Sequence, residues 1–188
     1  MSYHFRKGAL LMKKLNPRSI AYYALLIALN VILTRVGSFR IGGGGVELVR
    51  IGFGGFPVIF AGIIFGPFAG GIVGAIGDIV GMLINPMGEF LPHFTLNAAL
   101  LGIIPGIVML KCNDKKCMTS FWKLLLAISA GQIISSIIVW AYFMNILFGA
   151  TMKAILPVRI ASQLVNIPIY MYMTKILLNR IPVPIKNS

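Results

Sequence analysis

The run VELVRIGFGGFPVIFAGIIFGPFAGGIVGAIGDIVGM, residues 46–82, decides the fold. It opens with Glu47 and Arg50 beside a Gly-rich turn and then stays apolar as far as Asp78. Gly66-Pro67 supplies a tight turn in the middle, so the run reads as a membrane hairpin with spans at 46–65 and 68–84. Gly70 and Gly74 are four apart, as are Gly77 and Gly81. Small residues at that spacing share one helical face and let a second helix approach closely. Charges gathered at one end of the hairpin, rather than along it, suit a protein that holds a polar ligand at one membrane face.

The composition around this run agrees. Of 188 residues, 58% are hydrophobic and only 11% charged, with a mean hydropathy of +0.91. A soluble domain carries about a quarter charged residues. Apolar spans of about 20 residues cross a bilayer, and further spans fall at 19–36, 92–110, 121–148 and 151–178. The expectation is an all-α integral membrane protein with six transmembrane helices. One membrane domain, 19–178, lies between a basic N-terminal segment, 1–18, and a short tail, 179–188, with no room for a soluble catalytic domain. The N-terminal segment has no small-residue cleavage site ahead of the first span, so it does not read as a cleaved signal peptide. Met12, followed by Lys13 and Lys14, is an alternative start.

The net charge of +13 does not mark a nucleic-acid binder, because the basic residues flank apolar segments instead of covering a polar domain. Arg6, Lys7, Lys13, Lys14 and Arg18 precede the first span; Lys111, Lys115, Lys116 and Lys123 surround the junction of the fourth and fifth; Lys175, Arg180 and Lys186 close the chain. With an even number of spans these regions share one side, and the positive-inside rule makes it the cytoplasm. Both termini are therefore expected inside. The remaining bases, Arg35, Arg40, Arg50, Lys153 and Arg159, fall at the opposite face with Glu47, Asp78 and Glu89. They could pair with those acids or snorkel to headgroups. They could also bind an anion, since a guanidinium matches a carboxylate in a bidentate fork. An outward-facing anion pocket explains the set with the fewest coincidences.

Other positions offer candidates and alternatives. Asp78 lies within a span, where a carboxylate is costly and has a function or a partner. His93 and Asn97 share a face near the start of the fourth span, and Pro105 should kink it. Gln132, Ser135 and Ser136 interrupt the fifth span, and Pro157, Arg159, Gln163, Asn166 and Pro168 the sixth. Phe94 and Trp140 are among aromatic residues placed to stack on a flat ring, although aromatics also populate membrane interfaces. Ala24 and Ala28 in the first span serve either internal packing or a docking face. The GGGG run at 42–45 is either a flexible lid or a plain connector, and it lacks the Gly-x-x-x-x-Gly-Lys-Ser/Thr pattern of a nucleotide loop. Cys112 and Cys117, in one Lys-rich cytoplasmic loop, read as incidental thiols, since a zinc site needs about four ligands and a reducing compartment disfavours a disulfide. No metal-binding cluster or Gly-x-Ser-x-Gly elbow supports an intramembrane enzyme. A channel has no use for the outer arginines.

Four stretches carry a family resemblance: AYYALLIALNVIL (21–33), VRIGFGGFPVIFAGIIFGPFAGGIVGAIGDIVG (49–81), PHFTLNAALLGIIPG (92–106) and RIASQLVNIPIYM (159–171). The chain resembles the S components of energy-coupling factor (ECF) vitamin transporters, the small membrane subunits that capture substrate, and most closely the folate-specific ones. The resemblance implies high-affinity folate capture at the outer face of a bacterial cell membrane. It implies partnership with a transmembrane coupling subunit, docked at a face containing Ala24 and Ala28, and with two cytoplasmic ATPases that use ATP. This chain has no ATP-binding motif and is expected to bind no cofactor or metal. On this reading Arg50, Arg159 and Arg35 or Arg40 hold the glutamyl carboxylates. Asp78 or Asn97 meets the pterin edge, Phe94 or Trp140 stacks on it, and His93 and Gln163 complete the candidate set. Where the family pattern has Pro-Gly-Phe-Thr-Leu-Ser, this chain has Pro92-His93-Phe94-Thr95-Leu96-Asn97, so His93 and Asn97 alter the ligand contacts or, for His93, sit among headgroups. The runner-up keeps the fold and changes the ligand to another vitamin or anionic heterocycle.

Overall fold

A computed structural model of the protein describes residues 17–35, 38–43, 46–84, 92–112, 114–149 and 152–180. Helix α1 covers Pro17–Arg35, and its first residue is a proline, which tolerates that position because its missing N–H would have no helical partner there. Strands β1 (Ser38–Gly43) and β2 (Val46–Gly52) follow as an antiparallel hairpin. Then come α2 (Gly55–Phe65), α3 (Pro67–Ile84), α4 (Pro92–Val108) and the single turn α5 (Lys115–Met118). Helix α6 (Phe121–Gln132) runs through a π-helical stretch, Ile133–Val139, into α7 (Trp140–Phe148), and α8 spans Met152–Arg180. The basic residues of 1–16 and 181–188, and Glu89 in the loop 85–91, lie outside the described residues.

The fold is helical, as expected, with one departure. Residues 46–52 were expected to open a span and instead form β2. Glycines on both sides of VELVRI disfavour helix, and its valines and isoleucine suit an extended chain. Residues 38–43 supply the hydrogen-bonding partner, with Arg40 directly opposite Arg50 and an irregularity between Ile41 and Gly42. Helix α2 therefore has only 11 residues, about 16 Å at 1.5 Å per residue, shorter than the ~30 Å hydrocarbon core. Helix α3 and the stretch Phe121–Ile146 are long and apolar enough to cross it.

The glycine stripes are used in two directions. A Cβ on Gly70 would lie 2.6 Å from the Gly102 carbonyl oxygen and 2.7 Å from the Gly62 Cα. No side chain fits there, so α2, α3 and α4 cross backbone against backbone. Two turns further along α3, Gly77 faces the Asn30 amide and Gly81 the Arg35 guanidinium, both from α1. The first pair thus packs helices, and the second makes room for polar side chains of α1.

The exterior is far more apolar than that of a water-soluble protein. Leu83, Trp122, Leu164 and Tyr172 are exposed, whereas Asn30, Gln132, Gln163, Asn166 and Arg159 are buried. An apolar exterior suits a hydrocarbon solvent, and buried polar groups are costly unless they find partners. Ile59, Leu124, Ile128 and Leu178 are fully buried and belong to an apolar core that also includes Val58 and Tyr170. At the far end of α4 the two cysteines correct the expectation of free thiols: Cys112 and Cys117 are joined in a disulfide. The turn after α4 and the short α5 bring their Cα atoms to 5.4 Å, within the distance a disulfide spans.

Candidate functional site

The buried side chains of Asn30, Gln132, Ser135, Gln163 and Asn166 converge on one cavity of about 140 Å³. It opens between the C-terminal half of α1, the middle of α3, the first turns of α4, the π-helical stretch and the middle of α8. Each wall follows from local sequence. Asn30 and Arg35 enter because Gly77 and Gly81 carry no side chains. Asp78, next to Gly77, lines the cavity from α3 and accepts a hydrogen bond from the Thr95 hydroxyl of α4, with Oγ1 2.9 Å from Oδ2. One bond leaves most of a carboxylate's acceptor capacity unused. Asn97 and Phe94 come from the same helical turns of α4.

The π-helical stretch shapes the opposite wall. Gln132, Ser135, Ser136 and Trp140 all line the cavity. Widened turns recur at functional sites because they re-aim side chains within a helix, and here they bring polar residues of α6 and the indole of α7 to one side. Ser135 donates to the Gly131 carbonyl at 2.6 Å and Ser136 to the Gln132 side-chain oxygen at 3.0 Å. Two other acceptors are left over. The Gln163 Oε1 and the Asn97 Oδ1 are buried and have no hydrogen-bond partner among the described residues. Buried polar atoms are nearly always paired, so two orphans in one cavity mark a place where a donor-bearing ligand belongs.

Arg35, Asp78, Phe94, Asn97, Trp140 and Gln163 are thus brought together. Two expected residues are placed beside the cavity. Arg159 is 4% exposed and does not line it; its guanidinium carbon lies 3.3 Å from the centre of the Trp140 ring. A cation over an indole face is attracted by the ring quadrupole, so Arg159 is held against the indole. His93 also does not line it, and stacks near Phe94 (4.4 Å) and Phe143 (4.6 Å) with its Nε2 buried and unpartnered. Arg40 and Arg50 occupy opposed register positions on the hairpin, and their side chains lie outside the described residues. Ala24 and Ala28 are exposed on α1. No group of His, Cys, Asp and Glu able to hold a metal occurs among the described residues.

Sequence reasoning did not put Asn30, Asn166 or Tyr170 in the site, yet all three line it. Asn30 and Asn166 carried a usable signal, an amide within an apolar helix. Tyr170 carried none, because an aromatic in a membrane helix is unremarkable.

A profile for the ECF-type riboflavin transporter S component matches residues 14–182. The chain belongs to the S-component family of ECF-type transporters. Among similar proteins, the folate transporter FolT of Clostridium novyi (strain NT) is 33% identical over 159 residues, covering 85% of this chain and 86% of that one. The FolT of Leuconostoc mesenteroides subsp. mesenteroides is 24% identical over 171 residues, covering 88% and 87%. A crystal structure of FolT bound with folic acid superposes with a TM-score of 0.72 at 30% identity, over 88% of this chain and 96% of that chain. This S component is therefore a membrane transport subunit rather than an enzyme, and its apolar exterior and polar-lined cavity fit that assignment.

Proposed function

We propose that the cavity captures folate from outside the cell. The observation that carries this reading is the pair of orphaned acceptors, Gln163 Oε1 and Asn97 Oδ1, in one cavity with the Asp78 carboxylate and Arg35. A pterin ring presents amino and ring N–H donors on one edge, which suit those oxygens. Phe94 and Trp140 offer flat apolar faces for the ring. Its glutamyl carboxylates call for guanidinium, which Arg35 and the hairpin residues Arg40 and Arg50 supply; Arg159 acts through Trp140, and His93 through Phe94. The folate named in the C. novyi and L. mesenteroides relatives and in the superposed structure supports the same ligand. The family profile's description names riboflavin, a neutral-ring vitamin without two carboxylates, which makes it the second ligand to test.

The wider reading follows from charge and family. The long helices and the short α2 form six crossings, one membrane domain over 19–178, with the basic segments 1–18 and 179–188 in the cytoplasm of a bacterial cell. Ala24 and Ala28 contribute to a face that docks on a transmembrane coupling subunit, and two ATPase partners supply the energy; this chain itself binds neither ATP nor a metal. Isothermal titration of the ligand-free, detergent-purified protein with folate and with riboflavin tests the substrate. One-to-one, submicromolar folate binding with much weaker riboflavin binding is expected. Tight riboflavin binding without folate binding would reverse the assignment.

A further inference from the structure

The root of the β-hairpin is held by side chains from two distant helices. Strand β2 ends at Gly52, and α2 begins at Gly55. Between them, Asn30 of α1 donates through Nδ2 to the Gly54 carbonyl at 2.7 Å. From α8, the Tyr170 hydroxyl donates to the Gly52 carbonyl at 2.7 Å, and the Gly52 N–H donates to the Asn166 Oδ1 at 3.4 Å. Both backbone groups of Gly52 are therefore satisfied by one helix, more than a hundred positions away in sequence. Tyr170 is 5% exposed and Asn166 4%. The ring of Tyr170 fits because residue 55 is glycine: a Cβ there would lie 3.0 Å from the hydroxyl and 3.2 Å from the ring. The hairpin packs on the helices chiefly through β2 against α8.

We infer that Tyr170, with Asn166, is a positioning residue that fixes the hairpin against the cavity and thereby sets how long a ligand stays. The inference rests on the cavity being the ligand site. Tyr170 and Asn166 line that cavity and also hold Gly52, so the cavity wall and the hairpin root are the same side chains. The carbonyl of a strand end half-withdrawn from solvent, as at Gly52, needs a donor. When the tyrosine hydroxyl is removed, Gly52 loses its donor while the ring stays in the wall. The hairpin then opens more often, and ligand escape quickens while entry is unchanged.

The test uses Tyr170→Phe and, as an independent route, Gly55→Ala, which keeps the tyrosine but crowds its hydroxyl and ring away from Gly52. Hydrogen exchange of the ligand-free, detergent-purified proteins reads the hairpin without reference to any ligand. Amides of 39–43 and 46–51 are expected to exchange about tenfold faster in both variants, the scale of one lost hydrogen bond, with α3 and α4 unchanged. Folate dissociation, followed by rapid dilution, is expected to quicken about tenfold with an association rate within twofold of the parent. Unchanged hairpin exchange in both variants overturns the inference. Weaker folate binding with unchanged hairpin exchange also overturns it, because Tyr170 would then act by touching ligand. If the parent protein fails to bind folate, the substrate assignment falls, and the exchange measurement still decides the role of Tyr170.

Discussion

Replacing Gln163 with methionine should move stability and affinity in opposite directions. Gln163 is 4% exposed, and its Oε1 has no hydrogen-bond partner among the described residues. A buried polar atom left unpaired costs about 1–3 kcal/mol. Methionine has a similar length and volume, and volume-conserving swaps cost less than about 1.5 kcal/mol. The ligand-free protein should therefore be neutral to about 1 kcal/mol more stable as Gln163→Met. The ligand complex loses an acceptor for one N–H, worth about 1–2 kcal/mol, so Kd should rise roughly 5- to 30-fold. Thermal unfolding of ligand-free, detergent-purified protein and isothermal titration with folate read the two quantities. A buried residue that only supports the fold would weaken both together. A clear loss of ligand-free stability would show that the oxygen is engaged in the protein itself. An unchanged Kd would show that it does not face the ligand. Either result would refute the reasoning that the orphaned oxygens mark the ligand's place.

Three further outcomes follow from other parts of the molecule. Gly102→Ala should cost about 3 kcal/mol or more, the upper end for overpacking, because the new Cβ would lie 2.5 Å from the Gly70 carbonyl carbon; a variant with parental thermal stability would show that the crossing can widen freely. With the exposed Trp122 changed to phenylalanine, Trp140 is the sole remaining tryptophan, and bound folate should quench its emission; binding seen by calorimetry without quenching would place the ligand away from the indole. Reduction of Cys112–Cys117 should change folate Kd by less than about twofold, since the last cavity residue on α4, Leu101, already lies about 10 Å before the helix end at Val108, at 1.5 Å per residue, and the bridge follows beyond that end; a larger change would mean that this loop and the cavity are coupled.

What the linear sequence determined was whatever depends on local composition and period. Apolar runs broken by Gly-Pro and basic loops announced membrane helices, and the four-residue glycine spacing announced close packing. Asp78, Asn97 and Gln163, which line the cavity, were legible as candidates because a polar group in an apolar helix has few other uses. Only the tertiary structure decided how those features were shared out. The glycine stripe divides, Gly70 facing a backbone and Gly77 and Gly81 facing Asn30 and Arg35, and spacing alone cannot say which neighbour fills which gap. Residues 46–52 became a strand because a partner strand and the side chains of α8 satisfy their backbone, and that choice depends on groups far away in sequence. Arg159 reads as a ligand clamp by charge and place, and only the packing of α7 against α8 sets its guanidinium over the indole of Trp140. Cys112 and Cys117 read as thiols by compartment, yet the turn after α4 joins them. Periodicity reports which residues share a face; what stands opposite that face is set by non-local packing, and there the cavity, the hairpin root and the orphaned oxygens were made.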